Sequence, residues 1–166
     1  GMHYSPAAVW LVEAHNKVFL VDPERAMTAL DLHTGYMLWR TYQSKVRESI
    51  GLSADKRRIY AKTMQDSVVC YTTDTPSARE IWASDVGFGY EHATVMLTEK
   101  AGVVFSSTKN GLIFAVDALT GKVYWKHKIG NTLVNTVVPL SKTEVLYTNE
   151  DGLIGKLRID EKVYKN

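Results

Sequence analysis

The densest group of reactive side chains is Gly87-Phe88-Gly89-Tyr90-Glu91-His92, with two glycines, two aromatics, an acid and an imidazole in six residues. These residue types can hold a ligand or partner through hydrogen bonds and ring contacts, with glycine turns bringing the backbone close. The same stretch serves equally as a connection between elements, its aromatics packed and its glycines making turns. His92 also belongs to a spaced series: Pro6, Ser49, His92 and Asn135 lie 43 residues apart. Proline offers neither a polar side chain nor an N–H, so Ser5 is the expected contact in the first member. Arg47 and Glu48 flank Ser49; Tyr90 and Glu91 flank His92. The candidate binding set is therefore Ser5, Arg47, Glu48, Ser49, Tyr90, Glu91, His92 and Asn135.

Catalytic arrangements are not visible beside it. His3, His15, His33, His92 and His127 show no metal-ligand spacing. There is no phosphate-cradling glycine loop and no nucleophile elbow. Serine, histidine and aspartate are present, but nothing in the sequence brings them together. No catalytic residue, metal or cofactor is expected.

The elements that would position these residues repeat with the same period. Trp39, Trp82 and Trp125 are 43 residues apart, as are Asp31, Asp74, Asp117 and Asp160. A fixed period of this size implies repeated supersecondary units. Each unit reads as short strands joined by tight turns, the pattern of an antiparallel meander. In the third unit the expected strands are 93–97, 102–107, 112–117 and 122–126, with Asn110-Gly111 as a hairpin turn. Several strands, such as 112–116, are apolar on both faces and must be covered on both sides. Units run approximately over 6–48, 49–91, 92–134 and 135–166. The fourth ends without a tryptophan. Four-stranded sheets stacked on copies of themselves are the blades of a β-propeller. The expected fold is all-β, a propeller of about four four-stranded antiparallel blades within one domain, 3–166. Gly1-Met2 reads as an expression-tag remnant.

Bulk properties fit a globular domain. The 166 residues carry 20 basic and 18 acidic side chains, a net charge of +2, which argues against a nucleic-acid partner. No stretch approaches the ~18 apolar residues of a membrane span. The single cysteine, Cys70, lies in an apolar run and is expected to be a buried, inert thiol.

The string Ala-x-Asp-x-x-Thr-Gly-x-x-x-Trp is matched by Ala29, Asp31, Thr34, Gly35 and Trp39, and again by Ala115, Asp117, Thr120, Gly121 and Trp125. It resembles the repeat of the pyrroloquinoline-quinone (PQQ)-type propellers. Unit two keeps Trp82 but has Ser77-Ala78 in place of Thr-Gly. That family includes quinoprotein dehydrogenases, a bacterial outer-membrane assembly lipoprotein, and domains of unknown role, some joined to hydrolases. The resemblance implies inter-blade tryptophans and suggests a cell-envelope or periplasmic setting. A quinoprotein dehydrogenase would, by the same resemblance, carry a vicinal cysteine pair, calcium ligands and a catalytic Asp. One cysteine cannot make the pair.

The expected function is a non-catalytic scaffold binding a protein or other ligand through loops at the mouth of the channel, as part of a longer bacterial protein. The alternative is a fragment of an enzyme, a PQQ-dependent dehydrogenase or a chain whose hydrolase domain lies upstream. Four units are half of a larger ring or an open half-ring, which would leave two blade flanks bare. Two copies could then pair through these flanks as a homodimer.

Overall fold

A computed structural model describes residues 12–87, 97–108 and 111–165, with the side chain of Glu48 excepted. Within them the alternating apolar residues form fifteen short strands in four antiparallel sheets. The first sheet is β1 (Val12–Ala14), β2 (Lys17–Val21), β3 (Met27–Asp31) and β4 (Met37–Thr41), paired in chain order. The second is β5 (Val46–Leu52), β6 (Arg58–Thr63), β7 (Ser67–Thr72) and β8 (Glu80–Asp85). The third is β9 (Thr98–Lys100), β10 (Val103–Ser107), β11 (Leu112–Asp117) and β12 (Val123–Lys128). The fourth has three strands, β13 (Val134–Pro139), β14 (Glu144–Asn149) and β15 (Ile154–Arg158). A 3-10 turn at Glu161–Tyr164 follows it. The expected four-stranded unit thus holds three times, and the fourth blade lacks its outer strand among the described residues. The second blade begins at Val46, inside the stretch that a strict 43-residue register assigns to the first unit.

The core lies between blades, not within them. One apolar cluster joins Phe19, Met27, Ala29 and Trp39 of the first blade to Ile59, Val69 and Tyr71 of the second. A second joins Val68, Cys70 and Trp82 to Val104, Phe114 and Val116 of the third. A third joins Val103, Phe105, Ile113 and Trp125 to Val137, Val145 and Leu157 of the fourth. No such cluster joins the fourth blade to the first among the described residues, so the sheets stack in an open row.

The repeated motif closes the turn before each outer strand. Asp31 Oδ1 accepts hydrogen bonds from the N–H groups of His33 (2.9 Å) and Thr34 (2.8 Å). Asp117 Oδ1 accepts from Leu119 (2.7 Å) and Thr120 (3.0 Å). The Thr34 and His33 donors hold the Asp31 carboxyl below its ordinary pKa. Gly35 and Gly121 then take positive φ, +74° and +78°. At Gly121 the missing side chain has a second use. A Cβ there would lie 2.5 Å from Cε3 of Trp82, whose indole N–H donates to Ala118 O at 3.1 Å. The turn of the third blade is therefore the seat of the second blade's tryptophan.

The other two tryptophans are seated differently. Trp125 Nε1 donates to the Tyr164 hydroxyl at 2.8 Å, and that hydroxyl donates to Lys142 O. The 3-10 turn thus supplies the acceptor that a fourth-blade motif turn would have given. The buried Trp39 N–H has no acceptor among the described residues. It faces the Thr73–Arg79 connection, where Ser77-Ala78 replace Thr-Gly.

The flanks at the two ends of the row are unlike. On the first blade Val18, Thr28 and Leu30 are the counterparts, 86 residues earlier, of the buried Val104, Phe114 and Val116. On the fourth, the cross-strand pairs Glu144–Arg158 and Leu146–Lys156 stand where the third blade has Val103–Asp117 and Phe105–Ala115. The first flank is mainly apolar; the fourth carries three charges.

Gly121→Ala should cost roughly 2–4 kcal/mol, combining left-handed backbone strain with overpacking against Trp82. Gly35→Ala, with no atom within 4 Å of its added carbon, should cost only about 1–2 kcal/mol from strain. Urea unfolding of the two variants measures the difference, and equal losses would contradict the seat.

Candidate functional site

In a meander, alternate turns lie at the same end. The β2–β3, β6–β7, β10–β11 and β14–β15 turns therefore share one end with the connections between blades. Backbone bonds tie the two sets together: Val46 N–H to Arg25 O (2.9 Å), Val86 N–H to Asp66 O (3.2 Å) and Glu150 N–H to Leu133 O (2.9 Å). The candidate residues in the described part of the chain belong to this end.

Two inner strands are bulged at the expected positions. β5 pairs Val46 with Thr63 and then Ile50 with Ala61, so extra residues are inserted across Arg47–Ser49. β13 pairs Val134 with Asn149 and then Thr136 with Thr148, which sets Asn135 outside the ladder. Bulges re-aim side chains and often border functional sites. Arg47 and Ser49 are turned inward, 4% and 2% exposed. Asn135 is exposed, and its amide donates to Asn149 O at 3.2 Å across its own hairpin. Glu48 lies in β5, but its side chain is outside the described part. Ser5, Tyr90, Glu91 and His92 lie outside the described residues, as does Asn110 of the expected hairpin turn. Arg47 and Ser49 thus come together in the second blade, while Asn135 belongs to the fourth.

Sequence reasoning missed the central member of this group, Lys62. Its fully buried Nζ donates to Ser107 O of the third blade at 2.6 Å. Thr63, Ser106, Ser107 and Thr108, at the same ends of β6 and β10, are buried as well. Burial pushes the Lys62 pKa down to about 7, and the charge of Arg47 works in the same direction. Hairpin for hairpin, Tyr60 holds the place of Phe19 and Phe105, and Lys62 that of Val21 and Ser107. A lysine at a strand end that the blade buries was the signal available.

A surface cleft of about 510 Å³ opens at the same end, lined by Pro23, Glu24, Arg25, Tyr42 and Lys45. The Tyr42 hydroxyl donates to Glu24 Oε2 at 3.1 Å and accepts from Arg40 Nη1 at 3.1 Å. Arg40 Nε meets Asp22 Oδ2 at 2.9 Å, and Asp22 in turn caps the Glu24 and Ala26 N–H groups. This network holds a tyrosine and charges of both signs at the ends of the hairpins. Elsewhere, burial pushes the Cys70 thiol up to about 12, so it stays protonated at neutral pH. Among the described residues no three His, Cys, Asp or Glu side chains converge as metal ligands.

Lys62 gives a signed pH dependence. The folded state releases this proton near pH 7, while the unfolded chain holds it to about 10.5. Between those values the unfolded state binds more protons, so stability should rise with pH and fall on acidification. Lys62→Met should flatten that slope in denaturation midpoints measured from pH 7 to 10; an unchanged slope would assign it to other groups.

No curated protein gives a significant match. Solved structures do. The computationally designed protein Ika4 is 18% identical with a TM-score of 0.71, and the match covers 96% of each chain. BamB from Moraxella catarrhalis is 13% identical with a TM-score of 0.71, over 93% of this chain and 45% of that one. The Cps50 (Swd1) β-propeller domain of Myceliophteria thermophila is 10% identical with a TM-score of 0.73, over 90% and 50%. At these identities the likeness shows the fold, that of a partial β-propeller. The chain spans about half the length of BamB, Cps50 and the designed Ika8, of which it covers 45%. No helix among the described residues is long and apolar enough to cross a membrane. A family model described as outer membrane protein assembly factor BamB matches residues 65–162, more than half of the sequence, and the chain belongs to that PQQ-like repeat family.

Proposed function

We propose that this chain is a non-catalytic propeller scaffold that binds a protein partner through the end bearing the Glu24–Tyr42–Lys45 cleft and the Arg47–Ser49 bulge. The carrying observation is that β5 breaks its ladder to turn Arg47 and Ser49 inward, close to the buried Lys62. Polar groups there displace the packing that the repeat uses elsewhere, which costs stability and is retained where recognition needs it. The family description, an assembly factor of the outer membrane, fits a protein-binding role and a cell-envelope setting.

The test is site-specific photo-crosslinking in an extract of bacterial envelopes. A photoreactive residue at Tyr42 should give a discrete adduct that disappears with Lys45→Glu. The same probe at the exposed Tyr36, on the opposite end of the strands, should not. Equal adducts from both ends, or none from Tyr42, would sink the reading. The non-catalytic part is tested separately: PQQ with Ca²⁺ should produce no dye-linked alcohol oxidation, and turnover would overturn it.

Self-association is proposed through the first blade, whose outer flank carries the half-buried Val18, Leu20 and Leu30. Light scattering should show a concentration-dependent dimer that Leu30→Glu weakens. A monomer at every concentration rejects the pairing.

A further inference from the structure

The outer rim of the fourth blade differs from the other three. In the second blade Ser84 faces the third blade and is 8% exposed. Its counterpart 43 residues on, His127, faces the fourth blade and is exposed. What is missing above His127 is a strand beyond β15. In its place is a slot of about 210 Å³ lined by Trp125, Lys126, His127, Leu157, Arg158 and Ile159.

The backbone beside this slot is ready to pair. Ile159 N–H donates to Thr143 O and Asn149 N–H to Leu153 O, so odd-numbered residues of β15 bond to β14 in this register. The N–H and C=O groups of Ile154, Lys156 and Arg158 therefore point to the open edge. Their side chains share the bare flank, where the cations Lys156 and Arg158 outnumber the one acid, Glu144. On the other side of the sheet, Leu157 and Trp125 present an apolar wall.

We propose that this edge takes an extended segment of a partner protein as the fourth strand of the blade, with apolar side chains alternating with acidic ones. Period-two alternation places the apolar set over Leu157 and Trp125 and the acidic set beside Lys156 and Arg158. The segment before β1 does not fit this description, because residues 1–12 contain no acid. The edge lies at the outer rim, apart from the Arg47–Ser49 end, so it can hold a partner whether or not that end does.

The probe is a short capped peptide alternating Glu and Val, with a Lys–Val peptide as its charge-reversed counterpart. Isothermal titration should show saturable binding of the Glu–Val peptide only. Amide exchange by NMR should slow at Ile154, Lys156 and Arg158 on binding, with no change at Gly155 and Leu157. The variant Lys156→Glu/Arg158→Glu should weaken the Glu–Val peptide about tenfold, the loss expected for two exposed ion pairs, and favour the Lys–Val one. Absence of saturable binding, equal affinity for both peptides on the unsubstituted chain, or unchanged exchange at the three amides would overturn the proposal. So would a dimer in which those amides are already protected and which the double variant dissociates, since a second copy would then occupy the edge.

Discussion

The contact on which the architecture depends is an indole lying on a glycine. Trp82 leaves its own blade, covers Gly121 of the next, and donates its N–H to Ala118 O at 3.1 Å. Neither a larger residue nor an ordinary backbone angle at 121 is compatible with it. The Asp117 carboxylate, anchored by two backbone donors and the Tyr124 hydroxyl, fixes the turn that brings the glycine there. Because each blade is only a few strands wide and buries little by itself, such joints carry the cohesion of the row. Stability in a stack of this kind is a sum of nearest-neighbour interfaces.

That dependence explains which parts of the fold were legible. Asp31, Thr34 and Gly35 recur at 117, 120 and 121 because the same Asp-capped turn is built twice. Periodic constraints leave periodic letters. Interruptions leave none until something stands against the period. The bulge across Arg47–Ser49 could not be read, since it is defined by its partner strand and not by its own residues. The substitution of Tyr164 for a blade turn was equally hidden, because a tyrosine in a terminal segment has no register to violate. Lys62 is the intermediate case: a lysine in a mostly apolar strand is visible, but its reach to Ser107 O of the next blade is not.

The candidate binding end follows the same division. Position 49 was reached by counting, and the structure places Ser49 on a buried bulge beside Arg47. The Glu24–Tyr42–Lys45 cleft was not reached, because its members come from a hairpin turn and an inter-blade connection that have no fixed spacing. Turns of unequal length are where a repeat is free to vary, and loops on a rigid scaffold are the usual carriers of recognition.

The two ends of the row extend this logic. A blade buried on both faces accepts charge only at a cost. The third blade accordingly places Val103 and Ala115 toward its neighbour, whereas the fourth places Glu144 and Lys156 at the equivalent positions. Leu146 and the 75%-exposed Ile154 remain among those charges, so the flank is not a plain solvent face. Charge on a surface that still carries apolar residues and an unpaired strand edge guards against indiscriminate pairing and leaves room for a chosen one. The departures from the period are therefore informative as a class: a buried lysine, a bulge for a straight strand, a 3-10 turn for a blade turn and three strands for four. The repeat accounts for the scaffold, and the places where it is broken mark where the chain is free to act.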